Sequence, residues 1–338
     1  MLRDAVTPRQ CVLAALDRRE PEVLPYSFLL ERGIQNAVDE ALGAGWEEGL
    51  VKFIEVEDFA FPDREEREDG KYVDGYGSLW ERGTIMHLLR PALSAPTLEG
   101  FTWPDVRVLE ERSCGLLADR FARHPHRFRA VFMPFGLFER AWTLRGFTEI
   151  LTDMMTEPVF CEDLFEAILH HQLEMVECLL PLDIDAVFLS DDWGHQKGLI
   201  MGPGPWRKYI RHRFAQLVDR IHQGGKKAIL HCCGSVSDIL PEIIEVGLDC
   251  LESVQPEAMD VFALKRSYGK DIALWGGGPS QSLIPFGTPH QIRDRFRRLR
   301  AEMGEGGGYI CAPAKEILDD TPVSNAIAAI EGVSGRRF

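Results

Sequence analysis

Short apolar runs alternate with segments of helical spacing along most of this chain. Val23 to Leu30 (VLPYSFLL) reads as a buried strand ending at Glu31, and Gln35 to Leu42 follows as a helix. Val51 to Glu57 alternates and gives a second strand. Phe128 to Pro134, Ala186 to Ser190, the run from Lys227, Cys250 to Val254, Ile272 to Trp275 and Gly308 to Cys311 supply the rest. Between or after them, Glu157 to Leu180, Pro205 to His222, Val236 to Val246, Val261 to Tyr268, Pro289 to Met303 and Pro322 to Glu331 carry helical patterns. The opening Thr7 to Arg18 begins with a threonine and a proline that can start a helix, with Val12, Leu13 and Leu16 on one face, and predicts a short lid.

Eight strands with helices between most of them must run parallel, and eight parallel strands close into a single (β/α)8 barrel over residues 1–338. An open doubly wound sheet lacks support, because no G-x-G-x-x-G follows the first strand. Gly276 to Gly278 and Gly306 to Gly308 read instead as loop hinges. The rhythm breaks at about 58–127, which predicts an insertion rich in charge, glycine and aromatic residues. Its Tyr72, Tyr76 and Trp80 form either a platform over a pocket or the contacts that pack the insertion onto its own domain. The charge run Asp63 to Asp69 is expected to be a solvated loop.

With 338 residues, 45% hydrophobic and 27% charged, the chain can bury a large core. Acidic residues outnumber basic ones 53 to 38, and this balance argues against nucleic acid as a partner. The start, MLRDAVTPRQ, leads into no signal-peptide core, and no apolar run approaches membrane-spanning length, so a cytoplasmic protein is expected. The eight cysteines are scattered, as suits reduced thiols. The sequence leaves a homo-oligomer open.

The densest candidate chemistry lies in Lys227 to Val236, KAILHCCGSV. In an extended chain His231 and Cys233 share one face and Cys232 takes the other. An imidazole and a thiolate at that spacing make half of a tetrahedral Zn2+ site. Buried cysteines are common in cores, so the packing alternative stands beside this one.

In a barrel, catalytic groups gather at the carboxyl ends of the strands. The polar residues expected there include Glu31, Glu139, Asp191, Asp192, His195, Gln196, Glu252 and Gln255. Of these, Asp191, Asp192 and His195 are the candidate catalytic groups. Glu139, Gln196, Gln255 and Trp275 are the candidate substrate contacts. The adjacent Asp191 and Asp192 must diverge at a strand end, so one of them at most faces the pocket, while the other can cap the following turn. Cys311 at the end of the last run is either a third metal ligand or a small residue packed in its strand.

The segments SDDWGHQKGL, LHCCGSV, ESVQPEAMD, LWGGG, PFGTP and GGYICAPAKEILDDTPVSNAIAAIE, with the opening TPRQCVLAALDRREPEVLPYSF, resemble the uroporphyrinogen decarboxylase superfamily nearly end to end. That resemblance implies one (β/α)8 barrel and one of two chemistries. The decarboxylase branch carries an arginine-rich M-R-Q-A-G-R-Y core after its first strand. Here the equivalent YSFLLERGIQNAVDE holds a single arginine, Arg32.

The other branch consists of zinc-dependent methyltransferases, which move a methyl group between a methylated donor, a corrinoid protein and a thiol or folate acceptor. It is similar in its H-x-C, here His231 and Cys233. Aligned on Asp320 to Pro322, the further cysteine of that branch falls near Lys315, and Cys311 lies four residues earlier. The resemblance therefore implies Zn2+ at His231 and Cys233, completed by Cys311, by a carboxylate such as Glu252, or not at all. The cobamide would ride on a separate corrinoid protein and the substrate would be a small molecule. The readings set against it are a metal-free carboxy-lyase acting on a smaller acid through Asp191 or Asp192 and His195, and a noncatalytic barrel.

Overall fold

The computed structural model describes residues 6–83 and 86–338. Seven parallel strands hydrogen-bond in chain order: β1 Ile54–Asp58, β2 Phe128–Met133, β3 Ala186–Ser190, β4 Lys227–His231, β5 Cys250–Val254, β6 Ala273–Gly278 and β7 Tyr309–Pro313. Every residue of β3, β6 and β7 is buried, as expected where helices cover a parallel sheet on its outer side.

The eighth stave differs from the sequence expectation. Val23 to Leu30 makes no continuous ladder but two isolated parallel bridges, Tyr26 to Cys311 and Leu30 to Ile317. Pro25 and Pro313 bring no N–H donors, which breaks the pairing into a bridge on either side of the end of β7. The sheet is curled into a barrel closed on that side by these bridges.

Two further expectations change. The glycines Gly276 to Gly278 lie inside β6 and are not hinges. Gly276 has a φ of +120°, and a Cβ there would come within 3.1 Å of the Val254 nitrogen on β5. The opening helix, Pro8–Leu16, is started by a Thr7 capping box as the sequence suggests. It covers the amino-terminal end of the strands and not the site: Arg9 pairs with Asp185 before β3, and Asp17 pairs with Lys227, the first residue of β4, at 2.9 Å.

The stretch at 58–127 has two parts. An antiparallel sheet of four short strands spans Glu65–Glu66, Lys71–Val73, Leu79–Glu81 and His87–Arg90. A helix, Val106–Ala122, follows and buries Val106, Leu109, Ser113, Leu117 and Phe121. This helix is the crossover between β1 and β2, so only the small sheet and its flanks interrupt the βα rhythm. Trp80 meets Trp142 at 6.0 Å between ring centroids, and the Tyr76 hydroxyl lies 3.0 Å from His171 Nε2. These aromatic residues fasten the small sheet to the helices Leu137–Arg145 and Pro158–Leu179.

Candidate metal centre at the carboxyl rim of the barrel

Register decides which side chains enter the barrel. Ser190 pairs with His231, His231 with Glu252, Glu252 with Trp275 and Trp275 with Ile310. In a parallel sheet, paired positions point to the same face, so these five form one inward row near the carboxyl ends. Trp275 of that row joins Phe132 and Phe188 in an aromatic floor, with Phe188 stacked on Trp275 at 5.4 Å and edge-on to Phe132 at 5.2 Å. Trp275 is fixed by a 2.9 Å bond from its indole N–H to Ser27.

His231 of that row and two residues of the loops beyond the strands form a group of three potential ligands. Asp192, His231 and Cys233 offer an oxygen, a nitrogen and a sulfur that all lie within 4.8 Å of one another. His231 Nε2 is 3.4 Å from Cys233 Sγ and 3.8 Å from Asp192 Oδ1. Ligands on a tetrahedral zinc ion with bonds of 2.0 to 2.3 Å sit about 3.5 Å apart, so two of the edges already have the required length. Three protein ligands with an open fourth position are the donor set of a catalytic rather than a structural zinc.

Two glycines allow the approach. Asp192 and Cys233 come from the loops after β3 and β4, and the Cys233 N–H donates to Asp192 Oδ1 at 2.7 Å. A Cβ on Gly194 would lie 2.6 Å from the Cys233 carbonyl oxygen, and one on Gly234 would lie 2.4 Å from the Gly194 carbonyl carbon. Gly234 also has a φ of +76°. The turn is held further by Gln255 on the loop after β5, whose side-chain oxygen accepts the Gly234 N–H at 3.2 Å.

The surroundings are acidic. The Glu252 carboxylate takes the Nδ1 side of His231, and Ser190 donates to Glu139 at 3.2 Å. Burial opposes protonation of His231, but the Glu252 charge and Cys233 outweigh it and push the imidazole up. Burial, then the charges of Asp191 and Asp192, push Glu139 up to about 8. Arg140, the residue next to Glu139 in the chain, acts on it only from a distance and forms no ion pair with it among the described residues. A cation would relieve this crowding of carboxylates, and the residues present fit one.

Asp191 and Asp192 diverge. Asp191 is 3% exposed and its two oxygens accept the Phe138 and Glu139 N–H groups at 3.0 and 2.8 Å, so it caps the helix Leu137–Arg145. Burial raises it to about 6. His195 and Gln196 lie on an exposed hairpin; Gln196 donates to Gln281 at 2.6 Å, and neither belongs to the group of three.

Cys232 is fully buried on the other face and its sulfur accepts the Trp193 N–H. The structure does not bring Cys311 to the group either. Ile310 occupies the inward row, so Cys311 turns outward beside Tyr309, and burial pushes its thiol up to about 11. Glu252 stands against the histidine rather than among the three ligands. The sequence had put Asp192 among the catalytic groups and not among the ligands; only its closeness in space to Cys233 distinguishes it from Asp191.

A parallel α/β barrel with polar and ionisable side chains gathered at its carboxyl rim, among them a Cys-His-Asp group that could hold a metal ion, has the form of a barrel enzyme. The chain belongs to the uroporphyrinogen decarboxylase (URO-D) family, whose pattern matches residues 129–335. A curated relative, methylated-thiol--coenzyme M methyltransferase of Methanosarcina mazei, is 22% identical over 256 residues, 74% of this chain. The chain spans 65% of the length of that relative. A solved structure, a methyltransferase from Methanosarcina mazei, superposes with a TM-score of 0.75 at 17% identity, covering 98% of this chain and 99% of the other. No helix among the described residues is long and apolar enough to cross a membrane.

Proposed function

We propose that this chain is a zinc-dependent methyltransferase acting on a small methylated substrate, with Asp192, His231 and Cys233 as the metal ligands. The observation that carries the reading is the convergence of those three donor atoms on one point at the carboxyl rim. The similarity to methyltransferases supports the same reaction class. When bound, zinc supplies Lewis acidity that favours a thiolate or polarises the leaving group of the methyl donor.

The protein's own residues do the rest. Glu252 orients His231 so that Nε2 faces Cys233 and Asp192, the residues that would hold the ion with it. Glu139, pushed up to about 8 chiefly by burial, accepts from Ser190 and would hold or release a proton beside the ligands. The Phe132, Phe188 and Trp275 rings exclude water from beneath the ligands. The proposal includes a cobamide carried by a separate corrinoid protein as the partner in methyl transfer.

The metal-free carboxy-lyase reading has less behind it. Asp191 is consumed as a cap, and His195 is exposed.

Metal analysis of the purified protein tests the proposal. About one Zn2+ per chain is expected, lost in Cys233→Ala and Asp192→Ala and kept in Cys311→Ala. Methyl transfer from a methylated corrinoid to a thiol should follow the same order. Protein that holds no zinc in zinc-supplemented, chelator-free buffer would remove the reading.

A further inference from the structure

Among the described residues, Arg140 is a buried cation without a counter-ion. It lies on the helix Leu137–Arg145, is 5% exposed, and forms no ion pair among the described residues. Its guanidinium lies over the ring of Tyr76, 3.6 Å from the centroid, and over that of Phe135, 4.9 Å away. Its one recorded hydrogen bond runs from Nη1 to Thr143 Oγ1 at 3.5 Å, at the limit of such a bond, and Nε has no partner.

Two carboxylates act on it from a distance, and both are committed elsewhere. Asp74 accepts the N–H groups of Tyr76 and Ser78 and the Trp80 indole N–H. Glu139 accepts a hydrogen bond from Ser190 and makes no ion pair with Arg140 among the described residues. His171, bonded to Tyr76, is pushed down to about 4 by burial and by the Arg140 charge, so it adds no second cation.

A guanidinium does not escape burial by losing its proton. Two aromatic faces attract it, but the cost of removing an ion from water is several kcal/mol and they offset only part of that. A cavity of about 20 Å³ lies against Arg140, lined also by Phe59, Phe61, Tyr76, Met133 and Met175. An occupant about the size of one water needs roughly 10–15 Å³, so there is room for a single small ion and not for an organic acid.

We propose that Arg140, at the cavity it lines with Tyr76, binds one small monovalent anion, of the size and charge of chloride. The ion completes the contact between the small antiparallel sheet and the barrel. This site is separate from the proposed metal group, and its test does not depend on that reading.

The experiment compares thermal unfolding of the full chain in sodium gluconate and in sodium chloride at equal ionic strength. A saturable rise in melting temperature of about a few degrees with chloride is expected. It should be absent from Arg140→Met and Arg140→Gln. Crystals of the unaltered protein soaked in bromide should show an anomalous peak beside the Arg140 guanidinium, which decides the matter even if the variants fail to fold. A response to chloride that both folded variants keep, or a cavity holding only water in the bromide-soaked crystal, would overturn the proposal.

Discussion

His231 turns its Nδ1 to the Glu252 carboxylate on the neighbouring parallel strand, and Nε2 is thereby left facing Cys233 and Asp192. The pairing follows from register, since His231 and Glu252 are direct partners of β4 and β5. A carboxylate on the far nitrogen fixes the ring and raises its basicity as a ligand. Glu252→Gln should keep the fold and weaken zinc binding by about 10- to 100-fold, as read by competition with a chromophoric chelator. An unchanged affinity would assign Glu252 a purely structural place.

Asp191 gives the opposite expectation. Both its oxygens accept backbone N–H groups at the start of the helix Leu137–Arg145, and nothing else at that end takes them. Asp191→Ala should therefore cost about 2 kcal/mol or more in urea unfolding while leaving the zinc affinity of the folded protein close to that of the parent. The reverse result, lost metal with unchanged stability, would place Asp191 in the site.

Acid should destabilise the protein through His171. Its folded value, about 4, lies below its ordinary value of 6.5, chiefly because it is buried. Between those values the unfolded chain binds the extra proton, so stability is unaffected above about pH 6.5 and falls as the pH drops toward 4. The loss amounts to about 3 kcal/mol at most. His171→Gln should flatten the stability profile of urea unfolding between pH 6.5 and 4, and a profile as steep as the parent's would show that other groups cause it.

Much of this arrangement is legible in the sequence because it depends on local pattern. Ala186–Ser190 and Cys250–Val254 stand where their apolar runs end in polar residues, and Val261–Tyr268 is the helix its spacing indicates. The i, i+2 spacing puts His231 and Cys233 on one face without any knowledge of neighbours. What the pattern does not contain is register. Cys311 sits at the right height in the last strand, but the pairing of Trp275 with Ile310 gives the inward place to Ile310. One residue of offset exchanges the two faces.

The helix Val106–Ala122 is hidden for a different reason. Its buried residues Leu109, Ser113, Leu117 and Phe121 recur at helical spacing, but a serine among them and a surface rich in charge dilute the signal. The split between Asp191 and Asp192 depends on which partner each meets, a helix start or a cysteine loop, and no spacing rule distinguishes those.

That cysteine loop supplies the last expectation. Gly194 has no positive φ, so alanine suits its backbone, and the obstacle is steric alone. An added Cβ would stand 2.6 Å from the Cys233 carbonyl oxygen and 2.8 Å from the Ser235 nitrogen, both backbone atoms that cannot swing aside. The loop carrying Asp192 must then lift from the turn carrying Cys233, and the 2.7 Å bond between Cys233 N–H and Asp192 is the contact that bridges them. Overpacking of this kind costs about 1–3 kcal/mol, which the rest of the barrel can absorb. Gly194→Ala should thus remain folded by circular dichroism, unfold at a lower urea concentration and bind zinc more weakly than the parent, although it alters no ligand. Full zinc affinity in a folded Gly194→Ala protein would mean that the close approach of these two loops is not what assembles the three donors.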